Sequence, residues 1–282
     1  MTAPRLTIAI VSFNSRRDLE SCLRSLASAP PAVSHDIVLV DNASQDGTPA
    51  YVREHWPDVH VIDAGGNLGF AKANNVAIRH SASEMVLLLN PDTVVPADAI
   101  DRLIQTLDTS PDVAIVGPRI VDGDGRAELS FGPMISPLAE LRQKALVVGN
   151  DRRVRLIAGI VDRMTRQPRD VDWVTGACLL IRRRDLEAVG LLDERFFIYT
   201  EDVDLCASVR RLGRRVRFTP DVEIVHRRGT SVATARSFTR AAYRRSQIAF
   251  YEKHHPRWAP LLKLYLRARG QLLADDESNN LH

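Results

Sequence analysis

Polar residues are nearly absent from Leu6 to Phe13 (LTIAIVSF), and four of the positions are β-branched. An apolar run this short, with that composition, predicts a strand buried on both faces. Leu19, Cys22, Leu23 and Leu26 then recur at helical spacing within Ser15 to Ser28, and Pro30-Pro31 ends the helix. The alternation continues. Asp36–Val40, Val59–Ile62, Glu84–Leu89 and Val113–Val116 are predicted strands. Asp46–His55, Gly69–His80 and Pro96–Leu107 are predicted helices, with Pro96 suited to a first turn. Doubly apolar strands that alternate with helices imply an α/β fold: a mostly parallel sheet flanked by helices on both faces.

The rhythm breaks after Ile120. Gly123-Asp124-Gly125 marks a turn, and residues 126–170 hold two weak helical stretches and the cluster Arg152-Arg153-Val154-Arg155. Val171–Ile181 is strand-like, Glu201–Leu212 is helical, and Val216–Phe218 and Val222–Val225 are short strands. Residues 235–272 are helical with breaks at Pro256 and Pro260. The expected organisation is 1–120 as a nucleotide-binding half, 121–230 as the second half of the same domain, 231–272 as a basic helical extension, and 273–282 as a disordered polar tail.

Composition changes this picture little. Apolar residues make up 45% and charged residues 26%, as in ordinary globular chains. Cys22, Cys178 and Cys206 form no CxxC pair, so neither a zinc knuckle nor a disulfide framework is expected. No signal peptide and no 18-residue apolar span are recognised, which predicts a cytoplasmic protein. Charge is informative because it is uneven. Residues 36–63 carry six acids and one Arg, whereas residues 227–270 carry eleven Lys and Arg against the single acid Glu252.

Several positions could carry chemistry. Asp41 and Asp92 each end a predicted parallel strand, where open α/β sheets bind ligands. Asp41 could accept from a base or ribose; Asp92 could hold a hard cation bridging phosphates. Gly65-Gly66-Asn67-Leu68-Gly69 opens a helix whose N–H groups could face phosphate, with Lys72 in the first turn. Glu201 and Asp202 begin a helix, where either could act as a base. His226 ends a strand and could ligate a metal. Taken singly, each has an ordinary alternative as turn former, helix-dipole partner or strand-end residue.

The ordered set is more specific than its members. Ile10-Val11-Ser12-Phe13-Asn14, Val40-Asp41-Asn42-Ala43-Ser44, Asn67-Leu68-Gly69-Phe70-Ala71, Leu89-Asn90-Pro91-Asp92, Thr175-Gly176-Ala177-Cys178 and Glu201-Asp202-Val203-Asp204-Leu205 fall in one order over residues 5–230. The chain thereby resembles the inverting GT-A glycosyltransferases of family 2, and within them the bacterial rhamnosyltransferase-like group. The resemblance implies that Asp202 is the general base with Glu201 beside it. It implies that Ser12, Asn14, Asp41, Asn67, Gly69, Lys72 and Asn90 bind the nucleotide sugar, and that Trp173 and Gly176 lie near the acceptor. Asp92 and His226 would hold Mg²⁺ or Mn²⁺. The donor would be a deoxythymidine-diphosphate rhamnose or a UDP-sugar. The acceptor would be a hydroxyl of a glycan, or of one linked to a polyprenyl diphosphate, in cell-envelope polysaccharide synthesis. One departure is visible: the family's Asp-x-Asp motif has Asn90 as its first member, which removes one negative charge, although Asn-Pro-Asp also occurs in the rhamnosyl-type group.

The basic end adds a possible partner. Trp258, Leu261, Tyr265, Ala268 and Leu272 make an apolar stripe at helical spacing, with Lys263, Arg267 and Arg269 mostly off it. Such a helix could lie on the inner membrane face, pack on the catalytic domain, or join a homodimer. A nucleotidylyltransferase would want a glycine-rich loop after the first strand, where Ser12-Phe13-Asn14-Ser15 stands instead. A non-catalytic binding protein would not need Asp41, Asp92 and Asp202 together. Scarce aromatics in the basic region argue against a nucleic-acid partner.

Overall fold

The computed structural model describes residues 3–227 and 236–271. In chain order the elements are β1 (Leu6–Ser12), α1 (Arg16–Ser28), β2 (His35–Asp41), α2 (Thr48–His55), β3 (Val59–Asp63), α3 (Gly69–His80), β4 (Met85–Leu89), β5 (Thr93–Val94), α4 (Ala99–Asp108) and β6 (Val113–Val121). There follow β7 (Ala127–Glu128), β8 (Phe131–Gly132), α5 (Pro137–Asp151), α6 (Arg155–Met164), β9 (Arg169–Val171), β10 (Trp173–Val174), β11 (Cys178–Arg182), α7 (Arg183–Ala188), α8 (Glu201–Arg211), β12 (Arg215–His226), α9 (Arg236–His254) and α10 (Ala259–Ala268).

The main sheet runs β3-β2-β1-β4-β11-β6-β12-β5, with β7 beside β6 and β9 beside β12. β1 pairs in parallel with β2 and β4, and β12 with β6. The strand-like region 171–181 is not one parallel strand. It divides into the end of β9, the short β10 paired with β8, and β11, which lies antiparallel between β4 and β6. Its residues Leu179, Leu180 and Ile181 are fully buried, as in a parallel core strand, so its apolar pattern carries no direction. The two short strands expected at 216–225 are one strand, β12. Its register shifts between Thr219 and Glu223, where Pro220 cannot donate to a ladder. The helix expected from Pro96 begins at Ala99, after Asp98 takes a left-handed φ of 60°.

Strand alternation sorts the core into two layers. Leu6, Ile8 and Ile10 face α1 and α4, whose Leu19, Leu23, Ile100 and Leu103 are buried against them. Ala9 and Val11 face α3 and α8 through Ala73, Ala77, Leu205 and Val209. A third cluster joins Phe196, Val203 and Ala207 to Phe250, Tyr251 and Ala259, so α9 and α10 seat on α8.

Polar contacts fix that seat. Lys253 Nζ donates to Asp204 Oδ2 (2.8 Å) and to Asp193 Oδ2 (2.9 Å), and His254 Nε2 lies 2.6 Å from Asp204 Oδ1. Ser246 donates to the Ile198 carbonyl, and Gln247 and Tyr251 donate to Glu140 on α5. The face of α10 that packs is Ala259, Leu262 and Leu266. Trp258, Leu261, Tyr265 and Ala268 are exposed, so among the described residues this stripe does not pack on the catalytic domain. Leu272 and the polar tail 273–282 lie outside the described residues.

The Asp204 side chain is only 3% exposed. Removing one cation from it leaves charge buried with a single partner. Lys253→Met is expected to destabilise the protein by about 2–3 kcal/mol, and Asp204→Asn in the same chain to restore part of that loss. Urea unfolding of the two single variants and the double variant measures both effects.

Candidate active site

The strand order places a switch point between β1 and β4, since the chain moves outward to β2 and β3 and then returns to the other side of β1. Ser12 ends β1, Asp41 ends β2, and Asn90 follows β4. All three therefore lie at the carboxyl edge of the parallel strands. Ser12 Oγ donates to Asp41 Oδ1 (2.9 Å) and the Ser44 N–H to Asp41 Oδ2 (2.8 Å). Asp41 is buried, and these two bonds aim its carboxylate while leaving lone pairs to accept from a ligand. Asn14, at φ 50°, receives a bond from the Gln45 N–H and donates its own N–H to Ser44 Oγ, tying the loops after β1 and β2 together.

The glycine-rich turn is spent differently from its sequence reading. The Leu68 N–H donates to Asn42, the Gly69 N–H to Asn67, and the Phe70 N–H to the Phe197 carbonyl (2.6 Å). These three N–H groups are not open to a phosphate. Gly69 is required for another reason: its φ is +78°, and an added Cβ would meet the Phe197 carbonyl and ring at less than 3 Å. The turn thus clamps the loop that leads into α8. Lys72 is exposed, and its charge acts on Glu194, whose carboxyl is held low first by the Asn75 amide and then by Arg79 and Lys72.

β12 brings in His226. Its last residues pair with β5, His226 opposite Thr93, and this lays the imidazole beside Asp92. His226 Nε2 is 3.2 Å from Asp92 Oδ1, and Nδ1 is 3.6 Å from Glu128 Oε2. Burial alone would push the His226 pKa down; the bonds to Asp92 and Glu128, with their charges, outweigh it and raise the value to about 9. Asn90 Nδ2 lies 3.5 Å from the same Nε2. Glu128 is a site residue that the sequence reading missed. It sits in a two-residue strand, and only the Gly123–Gly125 turn, folding β7 back on β6, hints at its place.

Cis ligands about 2.1 Å from an octahedral ion lie about 3 Å apart, so neutral His226 and Asp92 could both reach one ion. Among the described residues, no group of three His, Cys, Asp or Glu side chains could hold a metal alone. The donor set fits a hard ion completed by ligand oxygens and water.

β11 completes the edge. Its antiparallel pairing with β4 sets Cys178 opposite Leu89, and the Asn90 N–H donates to the Ala177 carbonyl (2.9 Å). The adjacent Gly176 N–H donates to Asp202 Oδ2 (2.7 Å), and the Val203 N–H to Oδ1 (2.8 Å). Tyr199 and Thr200 precede α8 at φ 69° and 74°, strained for a β-branched residue in particular. Burial raises the pKa of Asp202, and the two N–H bonds oppose this. Glu201 is pushed up much further, by burial and then by the Asp202 charge, and its Oε2 has no hydrogen-bond partner. The two environments differ in degree: burial favours the neutral form more strongly at Glu201 than at Asp202, where two N–H groups stabilise the carboxylate. Trp173 donates to the Pro133 carbonyl and packs between the second and third clusters, beside the strand that leads to Gly176.

This sheet, with helices on both faces and carboxylates gathered at its switch point, has the GT-A glycosyltransferase architecture. The family profile described as "Glycosyltransferase like family 2" matches residues 4–260. The chain belongs to glycosyltransferase family 2. It is 30% identical over 269 residues to the N-acetylglucosaminyl-diphospho-decaprenol L-rhamnosyltransferase of Mycobacterium tuberculosis, an alignment covering 91% of this chain and 87% of that one. It is 25% identical to the rhamnosyltransferase WbbL of Escherichia coli K12 over 62% of this chain and 66% of that one. Among solved structures, a mannosyltransferase of Pyrobaculum calidifontis in complex with GDP-Man and Mn²⁺ aligns with a TM-score of 0.60 at 20% identity, covering 94% of this chain and 70% of that one.

The raised His226 value has a definite sign. The fold favours the imidazolium, so its contribution is full below the ordinary pKa of 6.5 and is lost as pH rises through about 9. In metal-free buffer the stability advantage of wild type over His226→Gln is expected to shrink by up to about 3 kcal/mol across that window. Binding of a divalent ion requires the neutral ring and should tighten over the same range. Chemical denaturation at stepped pH, with and without Mn²⁺, reads both; an advantage that stays flat with pH would sink the assignment.

Proposed function

We propose that this glycosyltransferase inverts the anomeric centre of a nucleoside-diphosphate sugar, with a deoxythymidine-diphosphate rhamnose as the leading donor, and that it acts in cell-envelope glycan synthesis. The observation that carries the reading is the assembly of Asp41, Asp92 with His226, and Asp202 along one sheet edge. The leading donor and acceptor chemistry come from the relatives: a rhamnosyltransferase acting on an N-acetylglucosaminyl-diphospho-decaprenol, and a dTDP-rhamnosyl transferase of Shigella flexneri that is 26% identical over 67% of this chain and 59% of that one. The acceptor is a hydroxyl of a lipid-diphosphate-linked glycan.

In this reading Asp41 accepts from the N3–H of thymine or uracil, held in aim by Ser12 and the Ser44 N–H. Asn67 and Lys72 border the diphosphate as side chains. Asp92 and His226 would hold Mg²⁺ or Mn²⁺, and the ion would supply charge stabilisation for the departing diphosphate. Asp202 takes the proton from the acceptor hydroxyl. The new O–C bond forms on one face of the sugar as the bond from the anomeric carbon to the phosphate oxygen breaks on the other, its electron pair leaving with the diphosphate. A Cβ at Gly176 would already touch Asp202 and Phe70, so a side chain longer than alanine there would compete for the space beside that carboxylate. Neutral Glu201 keeps a second negative charge away from the base. Positioning and fixed charge supply most of the rate gain.

A donor panel read by thermal shift tests the reading. One thymidine- or uridine-diphosphate sugar should raise the melting point with Mn²⁺ or Mg²⁺, lose that effect in EDTA, and act weakly on Asp92→Ala. Asp202→Asn should keep the donor-induced shift while turnover falls roughly 10²- to 10⁴-fold. If no nucleotide sugar shifts the protein under any metal condition, the donor site is wrong.

A further inference from the structure

The helical hairpin of α5 and α6 carries apolar side chains that no part of the described residues covers. Leu138, Leu141, Ala145 and Val148 recur every three or four residues along α5, and all are exposed. Leu156 and Ile160 repeat the pattern on α6. Leu138 and Leu156 are 72% and 76% exposed, values typical of surface lysine rather than leucine. The opposite side is fixed to the protein. Gly149 abuts Ile157, Asn150 donates to the Ala127 carbonyl, and Gln143 donates to the Phe131 carbonyl. Asp162 is bound by Arg119 and Arg166. The stripes are therefore a fixed outer surface.

Charge surrounds them. Residues 137–163 hold six Lys and Arg against three acids, of which Glu140 and Asp162 are engaged inward. Arg152, Arg153 and Arg155 cluster at the tip, and all are exposed. Apolar stripes bordered by cations suit an anionic lipid surface, which takes the side chains into its acyl boundary and the cations at its headgroups. The exposed stripe of α10, bordered by Arg257, Arg267 and Arg269, repeats the same chemistry.

Placement makes the surface useful. The hairpin rests on β7 and β8, where Glu128 contacts His226, and β8 pairs with β10 just before Gly176 and Asp202. We propose that the α5–α6 hairpin docks on an anionic bilayer and holds the catalytic edge at the depth of a lipid-diphosphate headgroup. This rests on the lipid-linked acceptor proposed above.

Flotation of the full chain with vesicles tests it, comparing phosphatidylglycerol-containing vesicles with pure phosphatidylcholine. Wild type should bind the anionic vesicles, more weakly at high salt. Leu141→Asp with Leu156→Asp should lower the bound fraction roughly tenfold or more, with melting point and donor-induced shift unchanged. Should that pair fail to fold, Arg152→Gln with Arg153→Gln and Arg155→Gln should weaken binding to anionic vesicles alone. Vesicle binding that is absent in wild type, or indifferent to both sets, overturns the proposal. So does a wild-type dimer in light scattering that the leucine substitutions dissociate, which would assign the stripes to a second copy. Vesicle binding through the hairpin without any donor-induced shift would leave this inference standing and sink the donor reading instead.

Discussion

Antiparallel pairing of β11 with β4 makes Ala177 the neighbour of Asn90, and one residue earlier the Gly176 N–H grips Asp202. Through this ladder the chain's second half reaches the edge that β1, β2 and β4 build. Without it, the carboxylate on α8 and the carboxylate after β4 would share no frame. Its members are fully buried on both sides, so the pairing is enforced by the loss of apolar surface to water and by the cost of leaving backbone groups unpaired in a dry core. Cys178 and Leu89 are opposed in that ladder, so slipping it by one residue would turn Leu179 and Leu180 to the wrong layers and move Gly176 away from Asp202.

The acids of the edge are kept distinct by their surroundings. Asp41 is satisfied by a hydroxyl and an N–H from adjacent loops, Asp92 by a cationic imidazole, and Asp202 by two N–H groups. Glu201 has none of these for its Oε2, and burial, then the Asp202 charge, push its pKa well above the usual carboxylate value. Four carboxyls with four environments can bind, hold a cation, accept a proton and stay uncharged. The strained turn at Tyr199-Thr200 sets where α8 starts and so where Asp202 stands, and the Gly69–Phe197 clamp and the Ser246–Ile198 bond hold the residues just before that turn.

The first half was legible because each strand and helix there is local: apolar runs gave β1, β2, β3 and β4, and periodicity gave α1 and α3. Asp41 and Asp92 followed, since the end of a parallel strand is itself a position in the site. Direction was not legible in β11, because a doubly buried strand has the same pattern either way up. Glu128 was invisible because its role depends on β7 folding back toward β12, a contact across about a hundred residues of chain. The turn at Gly65–Gly69 was recognised but its bonds were not, since Asn42 and Phe197 take the N–H groups from far away in sequence.

The C-terminal helices show how one segment can serve two surfaces. The inward face of α9 closes on Asp204 and Asp193 through Lys253 and His254, two residues from Asp202 along α8. The inward face of α10 extends the same cluster through Ala259 and Leu262, while Leu261, Leu264 and Tyr265 are turned outward. A helix fixed on one side by packing can present the other without folding cost, because its backbone is already ordered. The α5–α6 hairpin follows the same logic through Asn150 and Gln143. Glu140 joins the two structures, since it accepts from both Gln247 and Tyr251 of α9 while sitting on α5. That shared acceptor makes the hairpin and the C-terminal helices one support, anchored on the helix that carries Asp202.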